Sequence, residues 1–226
     1  MAKRRILKPD IGVPQEVAAI RAEISGFMSC KADNGHSIGS CKCGIYAFYD
    51  YENEPIYVGQ TVESLRSRIG RHLTNQRTDA VAMNVLDPFE VAWIEVWPYF
   101  DLDIDERKAT LDAAEYTVFL KVLEASALGA VLNEGDIQPA AQVILPKSYK
   151  QRIIPEAVFE LRNHPDIRTA RRAATIARLA QVISERDVSL GLRRTLLTQA
   201  QRLERLAKMR LDQFIGSGET YPESSD

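Results

Sequence analysis

Five side chains have the chemical types and the spacing needed to hydrolyse a phosphodiester. Tyr46 and Tyr57 lie eleven positions apart, in two short segments of strand-forming residues. Arg68 and His72 follow at the i, i+4 spacing that places two side chains on one face of a helix. Glu115 comes later, in a segment with apolar residues at helical spacing. The chain thus supplies phenols, a cation, an imidazole and a carboxylate.

Phosphodiester hydrolysis needs each of these groups. Negative charge builds on the phosphoryl and leaving oxygens, and arginine stabilises it with planar donors that stay protonated. A divalent ion such as Mg²⁺ takes one or two carboxylates from a protein, so Glu115 alone could anchor it. The attacking water must lose a proton. Tyrosine is a weak base unless nearby positive charge favours its phenolate, and His72 is an alternative acceptor.

The surrounding pattern predicts a compact α+β unit that positions these side chains. Residues 44–49 and 56–59 are expected to form a hairpin, and residues 89–97 a third strand. Ser64 is expected to cap the helix that carries Arg68 and His72, and residues 105–128 to form an amphipathic helix around Glu115.

The length of the hairpin loop decides whether the two phenols meet. A four-residue loop, residues 50–53, sets Tyr46 opposite Tyr57 on one face of the sheet. A five-residue loop places them on opposite faces. Both loops fit the sequence, and convergence of Tyr46 and Tyr57 with Arg68 and Glu115 around one cavity is the prediction.

The motifs resemble those of the GIY-YIG nuclease family. Gly44-Ile45-Tyr46 is followed by Tyr57-Val58-Gly59, Leu65-x-x-Arg68-x-x-x-His72, a helical glutamate and Asn133, over about residues 44–136. The resemblance implies a three-stranded antiparallel sheet flanked by helices and cleavage of DNA with one divalent metal, Mg²⁺ or Mn²⁺.

The resemblance implies a role for each residue that matches a family motif. Tyr46 would orient or deprotonate the attacking water, and Tyr57 would assist. Arg68 would hold the scissile phosphate, and His72 would take part in proton transfer. Glu115 would bind the metal.

Two further positions follow from the same resemblance. Asn133 would support the site by hydrogen bonding. The interval from Gly59 to Leu65 is one residue longer than is common in the family, so Arg66 is a rival for the phosphate-binding role. Arg68 is preferred because its spacing to His72 is kept.

Charge is distributed unevenly along the chain. The net charge is −2, but residues 1–151 carry −5 and residues 152–210 carry +7. Helical spacing continues from residue 155 onward, with arginines opposite the apolar positions. These arginines could be the solvated side of a bundle or could neutralise DNA phosphates. The predicted DNA-contacting residues are Arg66, Arg71, Arg77, Arg171, Arg172, Arg193 and Arg194.

The predicted organisation has five parts. Residues 1–43 form an N-terminal arm, helix and loop, residues 44–136 the catalytic unit, and residues 137–154 a linker. Residues 155–215 form a basic helical region, whose apolar stripe could support a homodimer, and residues 216–226 a flexible acidic tail.

The remaining features narrow the class of protein. No apolar stretch is long enough to span a membrane, and three cysteines do not form a secreted disulfide framework, so a cytoplasmic protein is expected. Cys30, His36, Cys41 and Cys43 lack a recognised zinc-finger spacing, so free thiols are favoured over zinc. The sequence therefore predicts a metal-dependent DNA endonuclease. The alternative is a protein that keeps the fold and binds nucleic acid or a partner without cutting.

Overall fold

A computed structural model describes residues 15–74, 86–133 and 137–217. Three predictions lie outside these ranges: the N-terminal arm before residue 15, the DNA contact of Arg77 and the acidic tail from residue 218. The strands are β1 (Gly44–Tyr49), β2 (Pro55–Thr61), β3 (Trp93–Pro98) and β4 (Tyr149–Arg152). The α-helices are α1 (Gln15–Ser29), α2 (Leu65–Thr74), α3 (Arg107–Ala125), α4 (Glu156–Arg162), α5 (Pro165–Glu185) and α6 (Leu190–Ser217).

The sheet has four antiparallel strands in the order β2-β1-β3-β4, not the three that were expected. The fourth strand, β4, lies within residues 137–154, which were predicted to be a linker. Its sequence, Tyr-Lys-Gln-Arg, has no alternation of apolar residues, because an edge strand is only half-buried and holds its place mainly through backbone hydrogen bonds.

Strand β1 is the centre of the fold because both of its faces are covered. All six of its residues are buried. Tyr46 and Phe48 face a core that includes Leu65 and Ile69 of α2. The alternate residues of β1 face a second core that includes Leu111 of α3. The two helices that carry the candidate site residues therefore pack on opposite faces of one sheet.

Local sequence explains where these helices begin and end. The predicted cap of α2 is confirmed, since the Ser64 hydroxyl accepts a hydrogen bond from the Ser67 amide at 3.1 Å. Helix α3 is shorter than residues 105–128: it begins at Arg107, and the Ser126 amide closes its last turn on Leu123. None of the helices within the described residues is both long and apolar enough to cross a membrane.

The predicted helical region after residue 155 is present, but much of its positive charge points inward. Arg168, Arg172 and Arg202 are buried. Their guanidinium groups pair with three acidic side chains of the β1–β2 turn and of the 3₁₀ turn before β3, namely Asp50, Glu52 and Glu90. We call these six residues the buried ion cluster. It joins α5 and α6 to the end of the sheet where the hairpin turns.

The buried ion cluster makes Arg168 sensitive to neutral replacement. We expect Arg168→Met to lower the free energy of unfolding by about 3 to 5 kcal/mol, because it leaves buried carboxylates without their counter-charge. Arg178→Met, at an exposed position of the same helix, should change it by less than about 0.5 kcal/mol. Urea unfolding of both variants measures the difference, and equal midpoints would contradict the inward role of Arg168.

Candidate active site

The hairpin register brings both phenols to one face of the sheet. Tyr46 lies opposite Gly59, and Phe48 lies opposite Tyr57, so Tyr46 and Tyr57 are diagonal neighbours. Tyr49 pairs with Pro55 across a five-residue loop, residues 50–54, which by itself would place the two tyrosines on opposite faces. The register shift between Phe48 and Tyr49 adds one residue and returns both side chains to the same face. The rings are stacked with their centroids 6.1 Å apart.

Gly59 makes room for this arrangement. A Cβ atom at residue 59 would lie 2.5 Å from the Tyr46 hydroxyl oxygen and 2.8 Å from Cε1 of Tyr57. No side chain fits at such distances. The glycine of the Tyr-Val-Gly motif is therefore required by the packing of the two tyrosines rather than by its own backbone conformation.

The Tyr46 hydroxyl is the point where α2 meets the sheet. It lies 2.7 Å from Nε2 of His72, and the Nε–H of Arg68 donates to it at 3.1 Å. Because Arg68 can only donate, the phenol accepts from Arg68. The direction of its hydrogen bond with Nε2 of His72 depends on the imidazole tautomer, and Tyr57 is a further hydrogen-bond partner of the Tyr46 hydroxyl.

The Tyr46 phenol is fully buried, and this sets its acidity. Burial raises the pKa of Tyr46 well above its ordinary value, and the nearby Tyr57 raises it further. The charge and the hydrogen bond of Arg68 act in the opposite direction. The free protein therefore holds Tyr46 as a neutral phenol between Arg68 and His72.

Glu115 lies half-buried on α3, next to strand β2. Nε2 of Gln60 donates to Glu115 at 2.9 Å and to Asp112 at 2.8 Å, so one amide group holds two carboxylates. Burial raises the pKa of Glu115, and Asp112 adds to the rise, whereas the Gln60 hydrogen bond and the charge of Arg68 lower it. Arg68 thus acts electrostatically on both Tyr46 and Glu115. Tyr46 and Tyr57 face α2, whereas Glu115 lies on the α3 side of the sheet, so the predicted gathering of both phenols, Arg68 and Glu115 around one cavity is not confirmed.

Asn133 holds the strand that carries Tyr57 and Gly59. Its side-chain amide donates to the Val58 carbonyl at 2.8 Å and accepts from the Val58 amide at 3.3 Å. The expected supporting hydrogen bonds are therefore made to the backbone between the two motif residues, not to a reacting group.

The carboxylates are chemically suited to a hard cation. Mg²⁺ prefers oxygen ligands, keeps several waters and takes one or two carboxylates, which Glu115 and Asp112 could provide. Within residues 15–74, 86–133 and 137–217, three or more His, Cys, Asp or Glu side chains do not gather into a closed metal cage. The donor set fits an open, water-rich site rather than a structural one.

The two rival arginines of α2 point in different directions. Nη2 of Arg66 donates to Ser29 of α1 at 3.0 Å, away from Tyr46. Arg68 contacts Tyr46, so the geometry favours Arg68 for the phosphate role. Arg71 is half-exposed and pairs with Glu63.

The predicted DNA contacts in the C-terminal helices divide into two groups. Arg172 is buried in the ion cluster, so the prediction that it meets DNA is wrong for this arrangement. Arg171 makes a two-pronged pair with Asp87 and is only partly exposed. Arg193 and Arg194 are exposed on α6, and their contact with DNA stays a prediction.

The cysteines are placed as separate thiols. Cys41 and Cys43 are buried, and their thiols donate to the carbonyls of Cys43 and Tyr99. Burial raises the pKa of both thiols. Cys30 is exposed.

Gln60 and Asp112 are the site residues that sequence reasoning missed. The signals were present: Gln60 follows Gly59 in β2, so its side chain must point to the α3 side of the sheet, and Asp112 precedes Glu115 by one helical turn.

Comparison with known proteins finds one family model that matches the part of the chain carrying most of the site residues. Residues 42–117 match the family model of the GIY-YIG catalytic domain, so the resemblance read from the motifs is confirmed over this range. Tyr46, Tyr57, Arg68, His72 and Glu115 lie inside the matched residues, and Asn133 lies beyond them. The match indicates a nuclease-type function and a nucleic acid substrate. No curated protein and no solved structure matches the chain.

The close approach at residue 59 gives a test of the site geometry. Gly59→Ala should displace Tyr46 and break its hydrogen bond to His72, visible as a changed imidazole ¹⁵N spectrum. Gly70→Ala is the matched control, because a Cβ there meets nothing within 4 Å and alanine favours the helix. An unchanged His72 signal in Gly59→Ala would contradict the packing argument.

Substitution of the two neighbours of Glu115 should shift the pKa of Glu115 in opposite directions. In a ¹³C NMR titration, Glu115 should ionise at a higher pH than an exposed glutamate. Gln60→Ala should raise the pKa of Glu115 further, because it removes a donor that favours the charged form. Asp112→Asn should lower it, because it removes a negative neighbour. Shifts of the same sign in both variants would contradict the arrangement.

Proposed function

We propose that the chain is a divalent-metal-dependent endonuclease that hydrolyses DNA phosphodiester bonds by in-line attack of water. The observation that carries the proposal is the meeting of Tyr46, His72 and Arg68 at one hydroxyl group, with Glu115 near enough for Arg68 to act on its charge. These are a proton-transfer pair, a phosphate-binding cation and an acidic anchor, which are the groups that the reaction requires.

Arg68 has a position that suits a phosphate. The hydrogen bond from its Nε–H to Tyr46 fixes the plane of the guanidinium group. The terminal N–H groups of an arginine held in this way form a fork that fits two phosphoryl oxygens. Arg68 would therefore stabilise the charge that develops on the phosphoryl group and would set its distance from Tyr46.

Proton transfer would run from water to Tyr46 and from Tyr46 to His72. The raised pKa of Tyr46 means that the phenolate is not populated in advance. If the phenol gives its proton to Nε2 of His72 as it takes one from the attacking water, no free phenolate is needed, and His72 ends as imidazolium. Arg68 stabilises the partial negative charge on the phenol oxygen during this transfer. Tyr57 would assist by confining the Tyr46 ring.

Glu115 would hold the divalent ion, with Asp112 beside it and Gln60 keeping both carboxylates in place. A bound Mg²⁺ or Mn²⁺ would supply positive charge to the phosphate and to the leaving oxygen. Burial is the main cause of the raised pKa of Glu115, and a bound cation would favour its charged form.

A homodimer through the C-terminal helices stays a prediction. Helix α6 exposes several large apolar side chains, namely Leu190, Leu197, Leu211 and Ile215. Such a stripe would suit a second copy, and two active sites in one particle would suit cleavage of both DNA strands.

Cleavage of plasmid DNA in the presence of Mg²⁺ tests the proposed function. We expect the wild-type protein to nick the plasmid, and Arg68→Lys and Glu115→Gln each to lower the rate by about 100 to 1,000-fold. Arg68→Lys removes the planar donors that fit two phosphoryl oxygens, and Glu115→Gln removes the charge that would hold the metal. Arg66→Lys is the matched control on the same helix and should retain the wild-type rate.

Two results would contradict the proposal. Equal nicking by the wild type and Glu115→Gln would mean that the activity comes from another site or a contaminant. Binding of DNA by the wild type without cleavage in Mg²⁺ or Mn²⁺ would favour the alternative, a GIY-YIG fold that binds nucleic acid without cutting it.

A further inference from the structure

Asp50 connects the hairpin that carries Tyr46 and Tyr57 to the C-terminal helices. Its Oδ1 accepts from the amides of Glu52 and Glu54 at 3.1 and 2.9 Å, which shapes the turn. Its Oδ2 accepts from Arg168 and Arg172 of α5 and from Arg202 of α6, at 3.3, 3.0 and 2.6 Å. One oxygen thus organises the turn while the other is held by three guanidinium groups.

Arg202 also holds the other side of the turn. Its Nη1 donates to the Pro55 carbonyl at 3.1 Å, and Pro55 is the first residue of β2. A single side chain of α6 therefore contacts the residue after β1 and the residue that begins β2. Arg202 is 2% exposed, so these contacts are shielded from water.

The turn determines the register of the hairpin. The register shifts between Phe48 and Tyr49, directly before Asp50. Asn53 adopts a left-handed conformation with φ 61°, and the Asp50 amide bonds to the Glu54 carbonyl at 2.9 Å. This specific turn produces the pairing in which Gly59 lies opposite Tyr46.

A change of register would destroy the site. A slip of one residue sends the side chains of β2 to the other face of the sheet, so Tyr57 would leave Tyr46. A slip of two residues sets Tyr57 directly opposite Tyr46, where the missing Cβ of Gly59 now provides the space. In either case the Tyr46 hydroxyl would no longer meet Arg68 and His72.

We propose that Asp50 is a positioning residue that fixes the register of the catalytic hairpin, and that the C-terminal helices act on cleavage through Arg202 and Asp50. The inference deepens the proposed function and rests on it. It assigns the C-terminal region a task inside the catalytic unit, separate from any contact that its exposed arginines make with DNA.

The charges of the two parts of the chain agree with this task. At least five arginines of the positive segment, residues 152–210, form ion pairs with carboxylates that precede residue 91. The arginines are Arg162, Arg168, Arg171, Arg172 and Arg202, and the carboxylates are Glu16, Asp50, Glu52, Asp87 and Glu90. The opposite net charges of the two parts are therefore largely complementary within one molecule.

Matched substitutions in the full-length protein test the inference. Arg202→Lys keeps one charge near Asp50 but cannot reach Asp50 and Pro55 together, and Asp50→Asn removes the shared acceptor charge. Arg162→Lys is the control, because it changes an arginine of α4 whose partner is Glu16 of α1, away from the hairpin. Each variant is assayed at a temperature at which its circular dichroism spectrum shows that it is folded.

Three measurements separate positioning from general stability. They are kcat at saturating DNA, the Kd for DNA with its salt dependence, and the imidazole ¹⁵N shifts of His72, which are easily assigned in a chain with three histidines. We expect kcat to fall by about 10 to 100-fold in Asp50→Asn and by a smaller factor in Arg202→Lys, since a shift of about 1 Å at a reacting group has an effect of this size. Kd and its salt slope should stay unchanged.

The His72 signal reports the positioning independently of cleavage. In Asp50→Asn and Arg202→Lys it should shift as the hydrogen bond with Tyr46 is lost, and in Arg162→Lys it should not shift. If Asp50→Asn does not fold, Arg202→Lys carries the test.

The outcomes distinguish the endonuclease activity from the positioning role of Asp50. A wild-type protein that does not cut DNA, with His72 shifts in Asp50→Asn and Arg202→Lys, would refute the endonuclease and support the positioning role. Wild-type cleavage with unchanged kcat and His72 signals in both variants, or an equal loss in Arg162→Lys, would overturn the positioning role and leave the endonuclease standing.

Discussion

The contact between the Tyr46 phenol and the backbone of Gly59 is the constraint on which the site depends. The ring can lie against β2 only because residue 59 has no side chain, and only in that place does its hydroxyl group meet both Arg68 and His72. The strand register brings residue 59 opposite Tyr46, and Arg68 and His72 of α2 meet the hydroxyl group at this place. A buried phenol with two partners also has a defined orientation before any substrate arrives, which lowers the cost of organising the site during reaction.

The buried ion cluster changes the meaning of the charge pattern along the sequence. Clustered arginines at helical spacing favour nucleic acid binding when their partners are unknown, because the sequence gives the sign of a charge but not its neighbours. Here Arg168, Arg172 and Arg202 face inward to carboxylates more than 70 positions earlier in the chain. Buried ion pairs of this kind contribute little net stability, but their geometry is specific. That specificity suits an element that must hold a turn in one conformation.

The sequence was a good guide to elements whose causes are local. The two tyrosine motifs, the Ser64 cap and the spacing of Arg68 and His72 each depend on residues within a turn or a strand, and each is present as expected. The structure corrects what depends on distant contacts. Strand β4 has no apolar alternation to reveal it, and the register depends on a turn that is held by arginines about 120 to 150 residues later. Gln60 and Asp112 were missed because their role depends on a contact between two elements, in which the Gln60 amide of β2 bridges Asp112 and Glu115 of α3.

The amide of Asn133 has a consequence for how copies of the protein behave toward each other. Strand β2 is an edge strand of the sheet. An uncovered edge strand offers its peptide groups to any other extended chain. Asn133 occupies both peptide groups of Val58, and the Leu132 amide bonds to the Ile56 carbonyl. The opposite boundary, β4, has only four residues, of which Lys150 and Arg152 are cationic. Within the described residues, both margins of the sheet therefore carry features that oppose intermolecular β-pairing.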